Sequence, residues 1–263
     1  MHFQLKIFND DPEIYSKKMK LVVRPEYNHL KDWIKEIPSF FSIQGETIYK
    51  ARNELKVFDT DFGKIVVKSF RIPHIINRFA YSFLRVSKAE RSYVYSLEIL
   101  KRGFKTPQPI AYIELFKTGM LTESYYISAY SDNLLMRNFN FIKKLTEEDA
   151  EIVKAFAHFT ARLHENGIYH TDYSNGNILY KKEDENIFFD LIDVNRVQFN
   201  KVTEEMAYKA FHRMDLSIEM IEIVAREYAM QRRMDVEKSI AEIKRLNLKT
   251  MRPYWSFNLP EPD

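Results

Sequence analysis

Asp172 and Asn177 stand five residues apart in the stretch Ile168-Tyr-His170-Thr-Asp172-Tyr-Ser-Asn-Gly-Asn177-Ile-Leu-Tyr180, and a further carboxylate, Asp193, closes the apolar run Leu191-Ile-Asp193. The pattern reads as a tight loop, a strand, and then an acid. Phosphoryl transfer from a nucleotide asks for this donor set. One carboxylate takes or orients the proton of the attacking hydroxyl, while an amide oxygen and a second carboxylate hold a divalent metal against the phosphates. Taken singly, Asp172 could form an Asx-turn, Asn177 could be a turn former and Asp193 a turn cap. Their joint occurrence between strand-like flanks carries the chemistry. His170 has two readings, a catalytic group or a structural one that bonds the backbone beside the metal.

The elements around this loop must position it. Leu145-Thr146-Glu-Glu-Asp149 is a capping box that opens an amphipathic helix with Ile152, Phe156, Phe159 and Leu163 on one face, closed by Gly167. Upstream, Ile43–Lys50, Asn53–Phe58 and Lys64–Phe70 read as three successive strands with turns at Ala51-Arg52-Asn53 and Asp61-Phe62-Gly63. An inward Lys68 at the end of that meander is a candidate for the α/β-phosphates; the plainer alternative is a strand lysine facing water. The first turn has no glycine, so Arg52 and Asn53 side chains are the candidates to share phosphate cradling. Leu21-Val-Val-Arg is a short strand, and Tyr27–Ile37 is helical and expected to stop at Pro38. Residues 73–85 read as a cationic apolar helix starting at Pro73, expected either to lie on an anionic bilayer or to pack on its own domain. Ser87–Arg102 is a second helix closed by Gly103; Glu90 is the expected partner of Lys68, with Glu98 the alternative. Gln108–Glu114 and Ser124–Tyr130 alternate as strands, and Ala129 and Tyr130 are expected to meet an adenine edge through their main chain. Beyond Asn200 the chain reads helical, with Thr203, Asp215 and Asp235 as caps.

At 263 residues and 45% hydrophobic, the chain is long enough to bury one large or two small cores. It has no cysteine, which excludes a disulfide scaffold and thiolate metal sites. The opening residues carry no leader pattern, and no apolar run approaches the roughly 18 residues of a membrane span. The expectation is a soluble, cytoplasmic protein. Net charge is +3, but residues 64–105 hold ten Lys/Arg and two Glu, a net of +8. That stretch is a candidate face for something anionic, or a solvated helix face. It contains no recognisable nucleic-acid reading motif.

These residues carry a resemblance. Ile48-Tyr-Lys-Ala-Arg-Asn-Glu-Leu-Lys-Val-Phe58, Val67-Lys68-Ser-Phe-Arg-Ile-Pro-His, Thr106-Pro-x-Pro-Ile-Ala-Tyr112, Leu163-His-x-x-Gly-Ile-x-His170-x-Asp172-Tyr-Ser-x-Gly-Asn177-Ile-Leu and Leu191-Ile-Asp193-x-Asn-Arg196 resemble the lipopolysaccharide core kinases, the Kdo/heptose kinase family, and most its short Bacteroidetes-type members. The resemblance implies an α+β, protein-kinase-like two-lobed fold. Its N-lobe (1–130) is a small antiparallel sheet with one or two helices near 73–85 and 87–102. Its C-lobe (131–263) is mainly helical, with the catalytic loop at 168–180 and the metal segment at 187–196. It further implies ATP and Mg²⁺, with the γ-phosphate passing to a hydroxyl of an anionic, lipid A–linked core sugar, and a peripheral contact with the inner membrane. Asp172 is then the base, Asn177 and Asp193 the metal ligands, and Lys68 the phosphate contact. Ala51 replaces an expected Gly and Val94 an expected acid. A kinase with a small-molecule or protein acceptor, and a catalytically silent nucleotide-binding module, are the alternatives.

Overall fold

A computed structural model describes residues 18–71, 86–141, 144–214 and 216–255. The helix expected over 73–85 and the cap expected at Asp215 lie outside the described residues. The chain divides into two compact units: the residues up to Leu100 together with Pro107–Ser131, and Lys101–Thr106 together with the chain from Asp132 onward. The six residues Lys101–Thr106 therefore group with the second unit rather than the first.

The first unit is an antiparallel sheet of β1 (Lys18–Val23), β5 (Pro109–Lys117), β6 (Met120–Ala129), β4 (Gly63–Phe70), β3 (Asn53–Thr60) and β2 (Glu46–Lys50), in that spatial order. Strand alternation sends successive side chains to opposite faces. One face, with Leu21, Ile113, Tyr125, Ile127, Ile65 and Val67, is covered by α1 (Lys31–Phe40), whose Ile34 and Ile37 are wholly buried. Pro38 lies inside α1 instead of ending it. A proline there loses its own N–H bond and crowds the Ile34 carbonyl, and burial of Ile34, Ile37 and Phe41 along one stripe offsets that cost. The other face is covered by α2 (Lys88–Lys101), which packs Ala89 and Tyr93 on Phe70 and Tyr112. β1 pairs with β5 through Lys20↔Glu114 and Val22↔Tyr112, so the strand expected only over 21–24 begins earlier, at Lys18.

In the second unit Thr146 caps α3 (Glu147–Glu165). Its hydroxyl accepts from the Asp149 N–H at 3.1 Å, and the Asp149 carboxylate accepts from the Thr146 N–H at 3.0 Å. In its buried stripe Ile152, Phe156, Phe159 and Leu163, the rings of Phe156 and Phe159 pack on Phe189, and α5 (Ile218–Gln231) lies against the same helix, where Tyr228 meets His164. Gly167 then turns the chain at φ +67; a Cβ there would stand 3.1 Å from the Asn200 carbonyl oxygen. β8 (Ile168–His170) pairs with β11 (Val197–Phe199), and β9 (Ile178–Glu183) pairs with β10 (Asn186–Leu191) and with the short β7 (Leu134–Leu135). Thr203 caps α4 (Glu204–Ala210) as expected, whereas α5 is capped by Ser217, which accepts from the Met220 N–H at 3.2 Å. Asp235 accepts from the Lys238 N–H at 2.8 Å and opens α6 (Val236–Trp255), which runs past the expected end at Leu246. No described helix is long and apolar enough to cross a membrane.

Candidate active site

The hairpin β9–β10 brings the candidate ligands together. Ile178 pairs with Leu191, so Asn177 precedes one strand at the same mouth where Ile192 and Asp193 leave the other. The Ile192 N–H donates to the Asn177 carbonyl at 3.0 Å. The Asn177 amide nitrogen donates to the Asp172 carbonyl at 2.8 Å, which turns its amide oxygen the other way. Asp193 adopts a left-handed conformation, φ 54 and ψ 42, and its carboxylate accepts from the Asn195 amide. Aspartate tolerates this region better than most non-glycine residues, and Thr118, Asp184 and Arg233 adopt it at other turns.

His170 ties the two segments to each other. It is buried, its Nδ1 accepts from the Asp172 N–H at 3.1 Å, and its Nε2 faces the Ile192 carbonyl at 3.2 Å. Only the neutral tautomer with the proton on Nε2 satisfies both bonds. Burial pushes its pKa down, against the Ile192 carbonyl and the charges of Asp193 and Asp172, which pull it up. Of the two readings open for His170, the geometry matches the structural one: a positioning residue held neutral rather than a proton carrier. Tyr173 anchors the loop from below. Its hydroxyl meets Thr160 Oγ1 at 2.8 Å, and Thr160 in turn donates to the Phe156 carbonyl at 2.9 Å on α3.

The Asp172 carboxylate is not alone. Arg196 Nη1 donates to one of its oxygens at 3.2 Å, and Arg213 Nη1 donates to the other. Arg196 closes the short 3-10 turn Val194–Arg196, and Arg213 closes the turn Phe211–Arg213 after α4. Arg196 was visible in the Asp-x-Asn-Arg ending but had no role assigned. Arg213, 41 residues from Asp172, gave no sequence signal. The Arg137 guanidinium also lies against the loop, where a Cβ on Gly176 would be.

The remaining candidates belong to the first unit. Lys68 is buried and pairs across the sheet with Tyr126, whose hydroxyl meets Ser96 of α2 at 2.9 Å, so Lys68 lies on the α2 face rather than facing water. Its ammonium sits 5.2 Å from the Phe70 ring centroid. Glu90 receives Lys20, at 2.7 Å, where Lys68 was expected. Lys20 also reaches Glu114 at 3.2 Å. The pairing follows from β1 lying beside β5, which sets Lys20 opposite Glu114 on the α2 face. Burial lowers the Lys20 pKa, but the Glu90 bond and the Glu114 charge together raise it; burial lifts the Glu114 carboxyl. Arg52 is exposed on the β2–β3 turn, and Asn53 opens β3. The Ala129 N–H donates to the Gln108 carbonyl and the Tyr130 N–H to that of Lys64. The N–H groups of both residues are thus engaged within the unit.

As a candidate metal site, Asn177 and Asp193 would supply two hard oxygen donors. Among the described residues no three His, Cys, Asp or Glu side chains cluster to form an all-protein cage. Two oxygens plus phosphates and water suit Mg²⁺, which dehydrates reluctantly and is commonly held that way.

A family model for the lipopolysaccharide kinase (Kdo/WaaP) family matches residues 73–234, more than half of the chain. Among solved structures, WaaP in complex with acyl carrier protein is similar at 13% identity, covering 91% of this chain and 100% of that one with a TM-score of 0.62. That likeness is one of fold, which is protein-kinase-like and α+β. A double mutant of the PknI kinase domain from Mycobacterium tuberculosis aligns at 13% identity over 77% of this chain and 94% of that one, with a TM-score of 0.42. No curated protein matches the sequence.

Proposed function

The chain belongs to the lipopolysaccharide kinase (Kdo/WaaP) family and is an ATP-dependent phosphotransferase acting on a sugar; from that premise we propose that its acceptor is a hydroxyl of Kdo or heptose in the lipid A–linked core. The observation that supports this reading is the single hydrogen-bonded knot of His170, Asp172, Asn177 and Ile192 beside Asp193. In the proposed reaction the acceptor oxygen bonds to the γ-phosphorus, the bond from that phosphorus to the bridging oxygen breaks, ADP leaves with the electron pair, and the hydroxyl proton passes to Asp172. A loose transition state of this kind asks the protein mainly for position and charge. Asn177 and Asp193 would hold the divalent ion. When bound, that ion supplies positive charge against the phosphates. Lys68 would contact the α/β-phosphates, and His170 keeps Asp172 aligned by holding its backbone. The work would be done at the cytoplasmic face of the inner membrane, where the acceptor's lipid is anchored.

Phosphate-transfer mass spectrometry on extracted core lipid, incubated with the protein, ATP and Mg²⁺, tests the reading. The expected result is one added phosphate on a core sugar, with Asp172→Ala slower by orders of magnitude while nucleotide still binds. An unmodified core alongside a phosphorylated small-molecule or protein acceptor would overturn the assignment, and full transfer by the Asp172 variant would remove that residue from the mechanism.

A further inference from the structure

Two guanidinium groups converge on one carboxylate at Asp172, and the three charges sum to +1. Each guanidinium spends one Nη1 donor on Asp172 and donates to no other group among the described residues, while the Arg196 carbonyl accepts from the Thr171 hydroxyl at 3.0 Å. A guanidinium carries five N–H donors in a fixed fork. Most of both forks is therefore uncommitted, and the side chains are 46% and 52% exposed, within reach of a ligand. We propose that Arg196 and Arg213 form a receptor for an oxyanion carried by the acceptor sugar, a carboxylate or a phosphate, and that they bridge this anion to the base. This rests on the sugar-kinase reading above.

The position argues for the acceptor rather than the nucleotide. The candidate metal ligands lie at the Asn177–Asp193 mouth, and Asn177 touches the Asp172 backbone, not its carboxylate. The arginines touch the carboxylate itself, so a ligand they hold is set beside the group that takes its proton. Planar forks suit carboxylate and phosphate in bidentate fashion. Pairing with Asp172 keeps both arginines oriented before the acceptor arrives, which reduces the ordering cost of binding. A neutral sugar can use none of this.

The test uses the full chain, ATP and Mg²⁺ with four probes: a Kdo methyl glycoside, its methyl ester, a heptoside phosphate, and the neutral heptoside. For Arg196→Gln and Arg213→Gln, the KM for an anionic glycoside should rise about tenfold or more, with kcat within about threefold and the KM for ATP unmoved. The loss in kcat/KM should be smaller on the two neutral probes than on the anionic glycoside, because a neutral acceptor feels only the lost pairing with Asp172 and an anionic one also loses the forks. Whichever anionic glycoside shows the effect identifies the source of the oxyanion. Arg196→Lys and Arg213→Lys, which keep the charge without the fork, should recover part of the loss, and circular dichroism checks that each variant is folded. Equal losses on charged and neutral probes, or a raised KM for ATP, overturn the proposal. Direct binding of the anionic glycosides without ATP separates the two levels of inference. Absence of phosphotransfer by wild type to any probe counts against the sugar-kinase reading. A Kd equal in wild type and the Arg196→Gln/Arg213→Gln double variant overturns the receptor, whichever way the first result falls.

Discussion

Replacing His170 with phenylalanine keeps a planar ring of similar size while removing both nitrogens, so the change isolates two hydrogen bonds. It leaves the Asp172 N–H, held at 3.1 Å, and the Ile192 carbonyl, held at 3.2 Å, without partners. An orphaned buried polar group costs about 1–3 kcal/mol, and because Asp172 is only partly buried the sum should fall at about 2–4 kcal/mol. Turnover should fall about a hundredfold, the scale expected when a reacting group shifts by roughly 1 Å. Urea unfolding reports the first quantity and ATP-dependent phosphotransfer the second. His170→Asn, whose amide can present both a donor and an acceptor, should recover part of each. Burial holds the His170 pKa below its ordinary value of 6.5. The stabilising neutral form is thus fully present above that value and is lost only as pH falls through the lower folded value. Wild-type turnover should therefore show no His170 limb near pH 6.5. A phenylalanine variant with wild-type stability and turnover would refute this account, as would an acid limb near pH 6.5 that the substitution abolishes.

Other outcomes follow from the same geometry. Asp193→Ala should weaken Mg²⁺-nucleotide binding in calorimetry by more than the roughly 10–100-fold that loss of an outer-shell partner costs, with metal-free nucleotide binding little changed. His164, buried against the Tyr228 hydroxyl at 2.7 Å, has its pKa pushed down to about 3 by burial and by the Arg232 charge. Its contribution is complete above about pH 6.5 and falls away towards pH 3, by an amount on the order of 5 kcal/mol; His164→Gln should flatten the acid side of a stability profile from urea melts. Lys20→Met removes the cation from Glu90 and the nearly buried Glu114. With Lys20 itself 42% exposed and screened, a loss of about 1–2 kcal/mol is expected in the urea midpoint, and an unchanged midpoint would show that the carboxylates find other partners.

Short-range chemistry made much of this molecule legible from the residues alone. The capping box at Thr146, the turn around Gly63, the three-strand meander and the loop from His170 to Asn177 each follow from contacts within a few residues, and periodicity records those. Strand pattern also carried Asn177 and Asp193 to one place, because a hairpin with Ile178 opposite Leu191 returns its two ends together. Other features depend on partners that the local pattern does not name. Pro38 sits within α1 because the sheet beneath rewards burial of Ile34 and Ile37. Glu90 goes to Lys20 because β1 lies beside β5. Arg213 reaches Asp172 only after α4 has turned back on the loop, 41 residues later. Periodicity and turn chemistry set which elements form and which loop carries the acids. The charges that surround those acids were decided by tertiary packing, since the energy of an ion pair depends on distance in space and leaves no spacing in the chain to read.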